Sequence, residues 1–149
     1  MPKHTVTVRS ATPSDWPRIA ALLQSHALPL DGAREHLDHF FIAVCGDSII
    51  GNAGMEVYAK DALLRSVAVT PDQQGSGVGQ MLVSRVIDEA KHQHVAALYL
   101  LTTTAADYFA RTGFQRLSAQ EAPPALKKSV EFQGVCPSSA VLMRLTLSP

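Results

Sequence analysis

The stretch from residue 63 to residue 91 constrains the fold more than any other part of the chain. It opens as Leu63-Leu64-Arg65-Ser66-Val67-Ala68-Val69, passes through Thr70-Pro71-Asp72-Gln73 and reaches Gln74-Gly75-Ser76-Gly77-Val78-Gly79. An apolar run, then glycines, then an amphipathic run reads as strand, tight turn and helix. Val78, Leu82, Val83, Val86 and Ala90 recur at helical spacing and predict the inner side of that helix, with Asp88, Glu89 and Lys91 outward. Gly75, Gly77 and Gly79 leave no side chains to obstruct a ligand. N–H groups at a helix start are unpaired and lie at the positive end of the helix dipole, so this turn suits a phosphate or diphosphate. A glycine-rich connector is the plainer alternative. The spacing is one residue short of GxGxxG, and no Gly-Lys-Ser/Thr follows, which excludes the phosphate loop of nucleotide hydrolases.

The rest of the chain alternates strand and helix signals. Val6 and Val8 predict a short first strand. Thr12-Pro13-Ser14-Asp15 carries a cap, a proline and an early acid, and announces a helix whose apolar face holds Trp16, Ile19, Ala20 and Leu23. Trp16 reads as core rather than as a ligand platform. Leu28-Pro29-Leu30-Asp31-Gly32 breaks that helix, and a second short helix is expected over 33–38. Strands are expected at 40–45 and 49–58, joined by Gly46-Asp47-Ser48. Gly51 and Gly54 mark close backbone approach or a bulge in the second of these. The central strand, 62–69, is apolar except for Arg65 and Ser66, as expected of a strand buried on both faces. Strand 96–102 leads to a short helix capped by Thr103 or Thr104 and ended by Gly113. A strand begins at Phe114, residues 118–139 read as irregular, and 141–147 closes the chain as a strand.

Length predicts one domain over residues 1–149, with no repeat and no linker long enough to divide it. Thirteen basic and thirteen acidic residues give no electrostatic case for nucleic acid or an anionic membrane. No apolar run is long enough to span a bilayer, and Met1-Pro2-Lys3-His4-Thr5 lacks the apolar core of a signal peptide, so a cytoplasmic location is expected. Cys45 and Cys136 are expected to be free, inert thiols. His92-x-His94 reads as a helix end that complements the dipole, not as a metal site, and no metal is expected.

Gln74-x-x-Gly77-x-Gly79 after Val67-Ala68-Val69 resembles the acyl-CoA pyrophosphate loop of the GNAT superfamily of N-acetyltransferases. Ala105-x-x-x-Phe109-x-x-x-Gly113-Phe114 is similar to that family's short helix and following strand. The resemblance implies an α/β fold: a single domain with a mixed, mostly antiparallel central sheet flanked by helices. It implies acetyl-CoA as co-substrate, bound by Gln74, Gly75, Ser76, Gly77, Val78 and Gly79, by Val67, Ala68 and Val69, and by Thr102 and Phe109. The backbone of Val67 and Val69 would pair with the pantetheine arm as an added strand, and an N–H near Val67 would polarise the thioester carbonyl. The partner implied is a small-molecule amine, with a homodimer left open.

Two positions depart from the family pattern. Many members carry a tyrosine four residues before the Gly-Phe pair as proton donor to the CoA sulfur; here that residue is Phe109. Tyr108 is the candidate catalytic acid, but one helical residue turns a side chain by about 100°. Thr102 stands where many members have Asn. A thiol pKa of about 8.5 leaves transfer feasible without a strong acid.

Glu56, in the otherwise apolar Ala53-Gly54-Met55-Glu56-Val57-Tyr58, is the candidate base, with a pKa raised by partial burial; a strand-end surface acid is the alternative. Arg65 is costly to bury unpaired, so it either bridges to Glu56 or holds a substrate carboxylate. Leu30-Asp31-Gly32, Leu64 to Val69, Leu100 to Ala105 and the Cys136-Pro137-Ser138-Ser139-Ala140 tail are similar to the arsenic-resistance-associated GNAT proteins. The tail and the Thr-Thr-Thr-Ala turn are also similar to the N-acetylglutamate synthase type of acetyltransferase domain. This implies acetylation of a small amino acid or an arsenic-containing analogue. Arg65, Ser66, Leu30, Thr103 and Ser138 would then line the acceptor site, overhung by the region of His26, Asp31, Arg34 and His36. Lys127 and Lys128 read as solvent-exposed. The competing readings are another amine (a polyamine, an aminoglycoside, a protein N-terminus) or a catalytically silent acyl-CoA-binding module.

Overall fold

A computed structural model describes residues 5–129 and 140–147. Seven strands form one sheet: β1 (Val6–Ser10), β2 (Phe40–Cys45), β3 (Ser48–Tyr58), β4 (Asp61–Val69), β5 (Ala97–Thr102), β6 (Gln115–Leu117) and β7 (Val141–Thr146), in the order β1-β2-β3-β4-β5-β7-β6. Every pairing is antiparallel except β4 with β5. A parallel pair needs a crossover, and α2 (Val78–His92) supplies it directly after the glycine turn. The mixed, mostly antiparallel sheet expected from the resemblance is the one observed.

α2 packs on one face. Its buried residues Val78, Leu82, Val83, Val86 and Ala90, those expected from spacing, join Phe41, Ala43, Ala53, Met55, Leu64 and Leu98 of the strands. The opposite face carries two separate apolar clusters. One gathers α1 (Trp16–Ser25) through Ile19, Leu22 and Leu23 onto Phe40, Ile42 and Ala68. The other gathers Leu63, Tyr99 and Leu142 under Ala122 and Leu126. Trp16 packs against the α1 cluster, as its apolar surroundings predicted. Between the two clusters the same face is polar, and β3 and β4 place Glu56 and Arg65 there.

Close approach explains the strand glycines. A Cβ on Gly54 would stand 2.2 Å from the ring of Phe40, and one on Gly51 would stand 2.9 Å from Leu82. The stretch expected as a second helix is a 3-10 segment, Arg34–His39. The stretch read as irregular contains two 3-10 turns, Ala119–Glu121 and Pro124–Lys128. α3 (Ala106–Arg111) has Ala105 as its N-cap and no side-chain cap bond, so neither Thr103 nor Thr104 caps it; the Thr102 hydroxyl accepts the Ala105 N–H at 3.0 Å.

Candidate active site

The site begins where β4 and β5 part. Their ladder ends at the pair Leu64 and Leu100, although β4 runs on to Val69 and β5 to Thr102. Beyond that pair the strands enclose a cavity of about 420 Å³. Arg65, Ser66 and Val67 line it from β4, Thr102, Thr103 and Thr104 from the end of β5, and Tyr108 and Phe109 from α3. Ala27, Leu28 and Pro29 roof it after α1.

β4 also carries a bulge at this point. Gly54 of β3 pairs with Arg65 and Asn52 with Ala68, so Ser66 and Val67 have no strand partner on either side. Ser66 takes a left-handed backbone, φ 60°. Asn52, fully buried, donates its side-chain amide to the Ser66 carbonyl at 2.7 Å.

The glycine turn stands at the same end of the sheet. Gly75 and Gly77 have φ of 84° and 91°, where glycine is at ease, and Gly77 caps α2. Among the described residues, no protein group accepts the N–H groups of Gly75, Gly77, Val78 or Gly79. No atom lies within 4 Å of where a Cβ on Gly75 or Gly77 would sit. An open concavity of backbone donors at the start of a fifteen-residue helix suits an anion. The Tyr108 hydroxyl comes within 3.8 Å of a Cβ placed on Gly79, so this ring joins the turn to the cavity.

Some residues named from sequence fall elsewhere. Ala68 is buried under α1 and Leu30 packs against the same cluster, so neither lines the cavity. The Val78 side chain is core, which leaves only its N–H to the turn. The Val69 carbonyl, expected to pair with a pantetheine arm, accepts hydrogen bonds from His26 Nε2 at 2.8 Å and Gln74 Nε2 at 3.1 Å. Gln74 thus folds back towards β4. Phe109 packs edge-on against Phe114, ring centres 5.6 Å apart, while its neighbour Tyr108 reaches the α2 start. Ser138 lies outside the described residues, as does Cys136.

The direction expected for the Glu56 shift requires a correction. Its carboxylate is 1% exposed and does not line the cavity. Arg65 Nη1 meets Oε2 at 2.6 Å, the Tyr58 hydroxyl donates to Oε1 at 2.5 Å, and the Ser129 hydroxyl also bonds the carboxylate. His36 Nε2 stands 3.8 Å from Oε1. Burial alone would raise the pKa, as the sequence reading expected. The donors from Tyr58, Arg65 and Ser129 outweigh it and hold the carboxyl below its ordinary value. Burial and the Glu56 charge push the Tyr58 hydroxyl up to about 12. Of the two roles left open for Arg65, the structure shows the bridge to Glu56. The guanidinium also donates to the Pro29 carbonyl at 3.2 Å and to Ser66 Oγ at 3.1 Å.

Sequence reasoning missed Asn52, Tyr58 and Ser129. Asn52 had left a signal, an amide inside the buried apolar run Ile49-Ile50-Gly51-Asn52-Ala53. Tyr58 had left one as well, two residues after Glu56 and so on the same face of the strand, while Ser129 had left none, because its role depends on where the segment after β6 packs.

A comparison at the family level matches residues 36–116, more than half of the chain, to the acetyltransferase (GNAT) domain. The chain belongs to the GNAT acetyltransferase family. GNAT members are acyltransferases that use acetyl-CoA as donor. Among curated relatives, the amino-acid acetyltransferase of Neisseria meningitidis is 30% identical over 138 residues, which cover 87% of this chain and 32% of the relative. The chain spans about a third of the length of the curated relatives it matches. Among solved structures, N-acetylglutamate synthase from Neisseria gonorrhoeae complexed with coenzyme A and N-acetyl-glutamate superposes with a TM-score of 0.83 at 26% identity, covering 97% of this chain and 36% of that one. A Mycobacterium tuberculosis protein in complex with CoA superposes at 0.78 with 23% identity, covering 95% of this chain and 99% of that one, and speaks for the fold alone.

Proposed function

We propose that this GNAT domain is an acetyl-CoA-dependent N-acetyltransferase whose acceptor is the amine of a small amino acid or a close analogue. One observation carries the proposal: the open N–H groups of the glycine turn and the cavity at the β4–β5 split lie at one end of the sheet, bridged by Tyr108. A donor with a diphosphate at one end and a narrow thioester arm matches that shape. The likeness to amino-acid acetyltransferases and to N-acetylglutamate synthase supports the acceptor class.

When bound, acetyl-CoA supplies an acetyl group already activated as a thioester. The chain supplies the rest. The N–H groups of Gly75, Gly77, Val78 and Gly79 bind diphosphate oxygens. The bulged backbone of Ser66 and Val67 flanks the acyl end, where an N–H polarises the carbonyl. Burial raises the pKa of the Tyr108 hydroxyl, with Arg111 opposing it, so Tyr108 keeps its proton at neutral pH and holds it beside the departing sulfur. Glu56 serves as counter-ion to Arg65 rather than as base, because Arg65, Tyr58 and Ser129 occupy its oxygens and it does not line the cavity, so the amine gives its proton to solvent water. Ser66, Thr102, Thr103 and Thr104 offer hydroxyl groups around the acceptor.

Thiol release from acetyl-CoA, with mass analysis of the product, tests this against a panel of amino acids, a polyamine, an aminoglycoside and a peptide N-terminus. An arsenic-containing amino acid joins the panel on the sequence resemblance alone. Saturable acetylation of an amino acid is expected. Turnover with the polyamine or peptide only would overturn the acceptor class, and CoA binding with no turnover would identify a silent acyl-CoA-binding domain.

A further inference from the structure

We propose that Asn52 is a positioning residue for acyl transfer: its side-chain amide holds the β4 bulge in the shape that turns the backbone of Ser66 and Val67 to the cavity. The proposal rests on the transferase reading above. A left-handed serine is strained and persists only where its surroundings over-determine it. Here two neighbours do so from opposite ends of the residue. Asn52 Nδ2 donates to the Ser66 carbonyl at 2.7 Å, and Arg65 Nε donates to Ser66 Oγ at 3.1 Å. Arg65 is anchored in turn by Glu56 and by the Pro29 carbonyl.

Several features set Asn52 apart from an ordinary buried amide. It is fully buried on β3, and its Oδ1 has no hydrogen-bond partner among the described residues. A buried unsatisfied carbonyl costs stability, so an apolar residue would serve a plain core position better. Its register position is the last regular pair before the bulge, opposite Ala68. Ser66 and Val67 both line the cavity and lack strand partners, so the carbonyl that Asn52 holds belongs to the peptide joining them. Turning that peptide turns the Val67 N–H with it, since the two share one planar unit.

The test compares Asn52→Leu, which keeps the size but can donate no hydrogen bond, with Asn52→Leu/Ser66→Gly, in which glycine takes the left-handed backbone without help. Three readouts apply to the full chain. In ligand-free protein, the amide–Hα coupling of Ser66 separates its left-handed backbone from an extended one. In protein saturated with carbonyl-labelled acetyl-CoA, the carbonyl carbon shift reports polarisation. With the acceptor found above, kcat and KM for acetyl-CoA are measured separately. For Asn52→Leu we expect the Ser66 coupling to move to the extended value, the carbonyl shift to fall towards that of free acetyl-CoA, and kcat to drop about 10²-fold with little change in KM. The glycine variant is expected to recover at least part of the carbonyl shift and of kcat. A left-handed Ser66 in Asn52→Leu, or a carbonyl shift and kcat equal to wild type, would overturn the proposal. If wild type binds acetyl-CoA yet acetylates nothing, the transferase reading fails while the coupling and carbonyl readouts still decide the role of Asn52.

Discussion

Arg65 and Glu56 share one buried ion pair, and each is the other's main compensation for leaving water. Removing one partner strands a charge, so Arg65→Ala is expected to lose roughly 3–5 kcal/mol of stability, read from the denaturant midpoint. A loss under about 0.5 kcal/mol would mean the pair is not desolvated as the structure places it. The two residues were visible in sequence as polar outliers in apolar strands, and their pairing was one of the alternatives drawn. What the sequence did not reveal was the sign of the Glu56 shift. That sign depends on Tyr58, two residues on along β3, and on Ser129, which reaches the carboxylate only once the 124–128 turn is docked. Tyr108 gives a second expectation at this scale. Tyr108→Phe should lower kcat about tenfold with KM for acetyl-CoA nearly unchanged. An unchanged kcat would assign the sulfur's proton to solvent.

At the scale of elements, the strand–turn–helix unit explains both what was legible and what was not. Apolar spacing picked out every buried residue on α2, because a helix packed on a sheet must bury one stripe. Glycine placement marked the turn, because left-handed backbone at Gly75 and Gly77 admits few other residues. The bulge in β4 escaped notice, because Ser66 carries no glycine to announce its left-handed backbone. The direction of Gln74 also escaped, since a side chain beside an anion turn can face the ligand or fold back to Val69. The turn supports a separable prediction. A Cβ at Gly77 meets no protein atom, so Gly77→Ala should cost only the left-handed penalty of about 1–2 kcal/mol in stability. Its methyl would intrude on the anion cradle, and affinity for CoA should fall about tenfold or more. Equal affinity in the variant would place the diphosphate elsewhere.

At the scale of the whole molecule, the sheet divides its labour by face. α2 and Phe109 of α3 cover one face, while α1 and the 124–128 turn cover the two ends of the other and leave the polar network between them. Acid sensitivity follows from that plan. Asp15 pairs with Arg9 at 3.0 Å, tying β1 to the start of α1, and its pKa is pulled down to about 2 from 3.8 by the Arg9 hydrogen bonds, against the opposing effect of burial. Glu56 is lowered as well. A lowered folded pKa gives stability that is full above the unfolded value and is lost as pH falls through the folded one. Stability should therefore hold from neutral pH to about 5 and decline from about 4 towards 2. Asp15→Asn should lose roughly 1–2 kcal/mol at neutral pH and show a shallower acid decline in denaturant titrations. An acid decline as steep as that of wild type would remove Asp15 from the account.

The central claim is that backbone donors of the glycine turn hold a diphosphate while the β4–β5 split takes the arm attached to it. The ratio of dissociation constants for coenzyme A and for pantetheine, which lacks the diphosphate, measures this directly by calorimetry. The account predicts coenzyme A tighter by about 10²-fold or more, with the advantage shrinking as salt rises. Equal affinities, or no binding of either, would contradict it.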